Sequence, residues 1–162
     1  MASAPRTPVR DHSGVVAPPP LIYFGVLALG LTAGWAAGEP GIGLPLLWRL
    51  ALGAIFAVPG IMLIVSASHR FQDAGTNVEP WRPSTALVTA GVYRFTRNPI
   101  YVGMALVYIG LCIFADSLVA IAWLPAALLI VHHGVIRREE RYLEAKFGEA
   151  YLAYKGSVRR WV

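Results

Sequence analysis

Two short stretches of this 162-residue chain carry side chains able to grip a charged ligand. In the first, Leu87-Val88 is followed by Tyr93 and then by Arg97-Asn98-Pro99-Ile100-Tyr101. Asn98-Pro99 is a helix-entry signal, with Asn98 in the capping position and Pro99 suited to the first helical position. A helix that starts there offers free backbone N–H groups and the positive end of its dipole, a seat for a carboxylate or phosphate. The bland reading is a well-capped helix whose arginines reach for water. In the second stretch, Arg137-Arg138-Glu139-Glu140-Arg141 sets two adjacent carboxylates among arginines. Leu143, Phe147, Tyr151 and Tyr154 follow at helical spacing, which predicts an amphipathic helix with Glu139 and Glu140 at the head of its apolar stripe. Those carboxylates either pair with the neighbouring arginines or hold a ligand.

The elements that must position these groups are written in the composition. Hydrophobic residues make up 56% of the chain and charged residues only 14%, with a mean hydropathy of +0.55. Soluble chains are about a quarter charged, so much of this surface faces a solvent other than water. Apolar runs over residues 21–37, 44–68, 99–115 and 117–133 are each long enough for a bilayer core of about 30 Å. A cleaved signal peptide is the alternative for the first, which follows two arginines. Lysines and arginines number two, zero, four, zero and seven across the successive segments outside the spans, with Arg49 set aside as a snorkelling side chain. That asymmetry puts both termini and the middle loop in the cytoplasm, with a bacterial inner membrane as the expected setting.

Within this frame Asp116 is expected to cap the fourth span, and Pro59 and Pro125 to kink their helices. Gly30, Gly34 and Gly38 form a small-residue face, suited to packing within the chain or to a homo-oligomer. Residues 1–20 read as a mobile cytoplasmic tail ending in Pro18-Pro19-Pro20. No acidic residue lies deep in a span, which takes the main support from a proton-coupled transporter. The single Cys112 excludes a disulfide scaffold, and no metal site is expected. Basic residues that track the spans argue against a nucleic-acid partner.

The four-residue turn between spans three and four makes them an antiparallel hairpin, which returns Glu139 and Glu140 to the depth of Tyr93 to Tyr101. The two ligand-binding stretches therefore meet. Together they resemble the isoprenylcysteine carboxyl methyltransferase and phospholipid methyltransferase group of integral membrane enzymes. The residues that carry the resemblance are Leu87-Val88-Thr89, Gly91-Val92-Tyr93, Arg97-Asn98-Pro99, Tyr101, Gly103, Glu139-Glu140, Leu143, Phe147-Gly148, Tyr151 and Tyr154.

The resemblance implies S-adenosylmethionine bound in a cytoplasm-facing pocket, with a lipophilic acceptor entering from the lipid bilayer. Cofactor contacts would fall on Leu87, Val88, Tyr93, Asn98, Pro99, Ile100, Tyr101, Glu139 and Glu140. An arginine among Arg97, Arg137 and Arg138 would orient a carboxylate acceptor. The family usually has His where this chain has Asn98. No Gly-x-Gly-x-x-Gly is present, which rules out a soluble Rossmann scaffold. The expected fold is all-α and polytopic, with four transmembrane helices and a C-terminal cytoplasmic amphipathic helix. Residues 21–68 would form a two-helix membrane hairpin, and 69–162 the cofactor loop, the second hairpin and the C-terminal helix. A non-catalytic membrane scaffold or small transporter that keeps the hairpin is the competing reading.

Overall fold

A computed structural model describes residues 11–162. Among these the chain is all-helical: α1 (Pro19–Ala36), α2 (Leu46–Asp73), a 3₁₀ turn (Gly91–Arg94), α3 (Pro99–Phe114), α4 (Leu118–Ala122), α5 (Leu124–Val131), a π turn (His132–Ile136), α6 (Arg137–Phe147) and α7 (Glu149–Ser157). α1, α2 and the continuous helix Leu118–Phe147 that strings α4 to α6 are each long and apolar enough to cross a membrane. α3 is apolar but has 16 residues, about 24 Å of helix, and is the shorter member of the set.

The helices run up and down between two ends. At one end the Tyr23 hydroxyl of α1 donates to the Tyr101 carbonyl of α3 at 3.0 Å, and Phe71 of α2 packs edge-on against Tyr93. At the other end Arg49 of α2 donates to the Phe114 carbonyl at 2.8 Å and pairs with Asp116 at 3.3 Å. Arg49 is thus bound into the turn instead of snorkelling. Nor does Asp116 cap the following helix. It takes a φ of 61° to close the tight turn, and its carboxylate accepts from the Ile42 N–H at 3.2 Å. Ser117 is the cap, accepting from the Ala120 N–H at 3.0 Å.

α2 and α3 are in backbone contact. A Cβ added at Gly60 or at Gly103 would lie 2.7 Å from the other's carbonyl oxygen, and one at Gly110 would lie 2.7 Å from that of Gly53. Both pairs recur every seven residues, so each falls on one face of its helix, and apolar helices in lipid gain their association from such close approach. The face made by Gly30 and Gly34 is also used within the chain: a Cβ at Gly30 would meet the Ala120 backbone at 2.8 Å, and Gly34 faces Ser117. Gly38 lies beyond α1 with a φ of 66°.

α2 continues as one helix through Pro59, and the fourth apolar run has a one-residue turn at Trp123, just before Pro125, where a kink is expected. Two further features differ from the sequence reading. The amphipathic helix expected after the spans is split in two by Gly148, whose φ of 52° ends α6. Of the tail expected over residues 1–20, residues 1–10, with Arg6 and Arg10, lie outside the described residues; residues 11–17 are packed against the α6 end of the bundle.

Replacing Gly103 by Ala should lower stability by about 1–3 kcal/mol, because the new methyl group would press on the Gly60 carbonyl as well as on the Ile64 side chain, and the backbone cannot simply turn aside. Gly25→Ala, with nothing within 4 Å, should be neutral or slightly stabilising. Thermal melts of the two variants in one detergent check the contrast.

Candidate functional site

Residues 74–98 leave α2 and return to α3 as an irregular loop that is tied to itself. The Thr76 hydroxyl accepts from the Thr85 N–H at 2.8 Å, and the Thr85 hydroxyl donates to the Gly75 carbonyl at 3.0 Å. Beside this loop the π turn inserts one residue between α5 and α6, rotating α6 by about 100° relative to an unbroken helix. α6 and α7 then lay Leu143, Phe147, Tyr151 and Tyr154 against Phe71, Val88 and Tyr93. The Tyr154 hydroxyl clamps the loop by donating to the Tyr93 carbonyl at 2.8 Å.

A cavity of about 820 Å³, counted out to its open mouth, lies between loop, α3 start, α6 and α7. Leu87, Val88, Tyr93, Asn98, Pro99, Ile100, Tyr101, Glu139 and Glu140 all line it, and so does Arg97. The two stretches singled out in the sequence are therefore walls of one site. Arg137 and Arg138 are not on those walls. They precede Glu139 by two residues and one, so they fall on other faces of α6. Arg137 is exposed with its guanidinium 3.4 Å from His133 Nδ1, and Arg138 donates to the Gly14 carbonyl at 2.9 Å. The walls also include Phe71, Asn77, Val78, Glu79, Ser84 and Tyr142, which the sequence reading did not pick out. Tyr151 and Tyr154 stood in its apolar stripe, and their spacing was the available signal.

The two adjacent carboxylates have different surroundings. Glu140 is buried and held by two arginines: Arg160 donates to both of its oxygens, at 2.8 and 2.7 Å, and Arg97 Nη1 lies 3.2 Å away. Hydrogen bonding to this carboxylate raises the Arg160 guanidinium above its already high value, so the pair stays ionised. Glu139 faces the cavity, and among the described residues its one hydrogen-bond partner is the Tyr101 hydroxyl at 2.8 Å. Arg97 leaves capacity to spare. Its side chain is only 9% exposed, and its Nε is buried with no partner among the described residues, while Nη1 is turned to Glu140. Buried polar atoms of this kind are costly unless something fills them. Burial first, and then the nearby Glu139 carboxylate, hold the Tyr93 phenol well above its ordinary value, while burial pushes Tyr151 up to about 12. At neutral pH both are protonated and can donate.

Asn98 stands where a cap would, but its side chain makes no capping bond. Its Nδ2 donates instead to the Arg160 carbonyl at 2.8 Å, and the Thr96 hydroxyl donates to the same oxygen at 3.2 Å. The Arg97 N–H donates to the Arg159 carbonyl at 2.9 Å. The segment after α7 is thereby laced to the entry of α3. Asn98 acts here as a hydrogen-bond donor, a part that a neutral imidazole can also play. Pro99 does occupy the first turn of α3, so the helix start and the Arg97 guanidinium converge on one wall.

Apolar helices of membrane-crossing length, with a charged and aromatic cavity at one end of the bundle, describe an integral membrane protein with a polar cavity at its edge. The chain matches the phospholipid methyltransferase family over residues 48–150, well over half its length, and belongs to that family of membrane methyltransferases. It is 47% identical over 45 residues to an uncharacterized protein of Haemophilus influenzae, covering 26% of this chain and 71% of that one. It is 38% identical over 68 residues to the cobalt-zinc-cadmium resistance protein CzcN of Cupriavidus metallidurans. Over the same length it is 37% identical to the nickel-cobalt-cadmium resistance protein NccN of Alcaligenes xylosoxydans xylosoxydans. Each of these two matches covers 42% of this chain and 32% of the relative, so the chain spans about a third of their length. Among the described residues no three His, Cys, Asp or Glu side chains gather as a metal site would require.

Two substitutions separate the neighbouring glutamates. Glu140→Ala strands the buried Arg97 charge and should cost about 3–5 kcal/mol of stability. Glu139→Gln keeps an acceptor for Tyr101 and should leave the melting temperature nearly unchanged; detergent thermal melts of both variants check this. Asn98→Asp should destabilise by about 1–3 kcal/mol, since it sets a carboxylate against the Arg160 carbonyl, outweighing a helix-dipole gain of at most about 1 kcal/mol. Asn98→His, which restores an N–H donor, should melt close to the parent protein.

Proposed function

We propose that the chain transfers a methyl group from S-adenosylmethionine to a lipophilic acceptor presented by the bilayer. The observation that carries this reading is the convergence of all nine expected cofactor residues on one cavity in a chain of the phospholipid methyltransferase family. The residues present suit that cofactor. Glu139, with a single phenol as its partner, is available to a ribose diol or an ammonium group. The unpartnered Nε of Arg97, beside the start of α3, suits a carboxylate. Tyr93 and Tyr101 offer aromatic faces to an adenine or a sulfonium.

When bound, the cofactor supplies an electrophilic methyl carbon on a positively charged sulfur. The contribution of the protein is position and dryness. The loop over residues 74–98 and α7 close the cavity's sides, and Phe71, Leu87, Val88 and Leu143 give it an apolar wall that offers water no hydrogen-bond partner. Glu140 is committed to Arg97 and Arg160, so its task is to fix the wall on which the ligand rests. Arg97 is the arginine best placed to orient an anionic group, since Arg137 and Arg138 lie off the cavity. A carboxylate acceptor would need no base, whereas an amine or thiol would have to lose a proton, for which Glu139 is the available carboxylate. The same reading sets α3 across the membrane as a fourth span, with both termini and the cavity on the cytoplasmic side of a bacterial inner membrane.

Calorimetric titration with S-adenosylhomocysteine tests the reading. The parent protein should bind, and Glu139→Gln should lose about 1–3 kcal/mol of affinity, the range for a hydrogen bond to a charged group, with its fold intact. No binding by the parent protein would leave a non-catalytic scaffold as the better description.

A further inference from the structure

Residues 11–17 precede α1 and lie outside the stretch that matches the family, yet they run along the rim of the cavity. Ser13 is itself part of the cavity wall, with both its hydroxyl and its N–H donating to the Pro80 carbonyl of the loop. Arg138 of α6 donates to the Gly14 carbonyl at 2.9 Å. The Asp11 carboxylate accepts from the Tyr142 hydroxyl at 2.9 Å and pairs with Lys146. Tyr142 in turn accepts from the Ser84 N–H at 3.0 Å, so one phenol joins the segment, the loop and α6.

The fourth anchor comes from the π turn. Its Gly134 carbonyl accepts from the Val16 N–H at 3.2 Å, and the close fit depends on the missing side chain: a Cβ at Gly134 would lie 2.5 Å from Val16 Cγ2. The segment therefore has a docking seat made by a helix irregularity, a polar staple at each end, and a side chain inside the site. Its Asp11 anchor is exposed and those of Ser13 and Gly14 are only half-buried. Contacts of that kind open locally at far lower free energy than the packed helices.

We propose that residues 11–17 are a strap that completes the ligand cavity, with Ser13 a ligand-binding residue, and that the strap must lift for the ligand to leave. The ligand in question rests on the cofactor reading above. The strap's seating does not, and the two are measured separately.

The strap is read by reactivity. In full-length protein carrying Cys112→Ala, which removes the chain's only cysteine, Ser13→Cys should react slowly with a maleimide. Adding Gly134→Ala, or Asp11→Asn where the glycine variant folds poorly, should speed that reaction several-fold. With Ser13 intact, Gly134→Ala or Asp11→Asn should also release S-adenosylhomocysteine several-fold faster than the parent protein. A labelling rate that neither substitution alters would overturn the strap. Faster labelling with unchanged release would overturn its part in holding the ligand. Failure of the parent protein to bind S-adenosylhomocysteine would count against the cofactor reading, while the labelling rates still decide the strap.

Discussion

One buried carboxylate, Glu140, holds three parts of the chain together. Through Arg97 it grips the entry of α3, through Arg160 the segment after α7, and by its own backbone it belongs to α6. Two buried or half-buried cations against one anion leave the cluster short of negative charge. Arg97 shows the shortfall: its Nη1 is turned to Glu140, but its buried Nε has no partner among the described residues. The geometry that fixes the wall thus also leaves positive charge in excess there. Neighbouring Glu139, one residue earlier on the helix, lies outside this cluster and faces the cavity with only a phenol for company. Adjacent identical residues have been given separate tasks by the 100° step of a helix.

Much of this was legible in the sequence. Long apolar runs, a short turn between two of them and an Asn-Pro helix entry are local signals, and they sufficed to bring Tyr93 to Tyr101 together with Glu139 and Glu140. What escaped depends on partners far apart in the chain. The capping reading of Asn98 was reasonable from its neighbours, but its side chain is claimed by the Arg160 carbonyl 62 residues away. Asp116 and Ser117 are equally good caps on paper, and the choice fell to Ser117 because Asp116 closes the turn and answers Arg49. The Gly53, Gly60, Gly103 and Gly110 contacts were invisible because a seven-residue spacing on each helix means little until the partner helix is known.

Family membership and geometry complement each other. The family match covers residues 48–150 and so takes in the loop, α3 and both glutamates. It leaves out Arg160, the segment after α7 and residues 11–17, although Ser13 lines the cavity and Arg160 holds Glu140. The outer parts of the wall are accordingly built by stretches on either side of the shared region. They are where members that keep the same inner face could differ in what they admit.

Lacing the site from both flanks of the bundle also has a kinetic meaning. Contacts such as Arg138 with Gly14 join residues 124 positions apart, and Thr96 with Arg160 joins residues 64 apart. The apolar helices pack directly on one another, α2 on α3 and α1 on α3, α4 and α5, and can assemble as soon as they meet in lipid. The cavity cannot, because the loop over residues 74–98, the longest connection among the described residues, and segments from both ends of the chain must close around it. The binding end is then the last region to form as the chain folds and the first to open under mild stress, while the apolar helices beneath it stay paired.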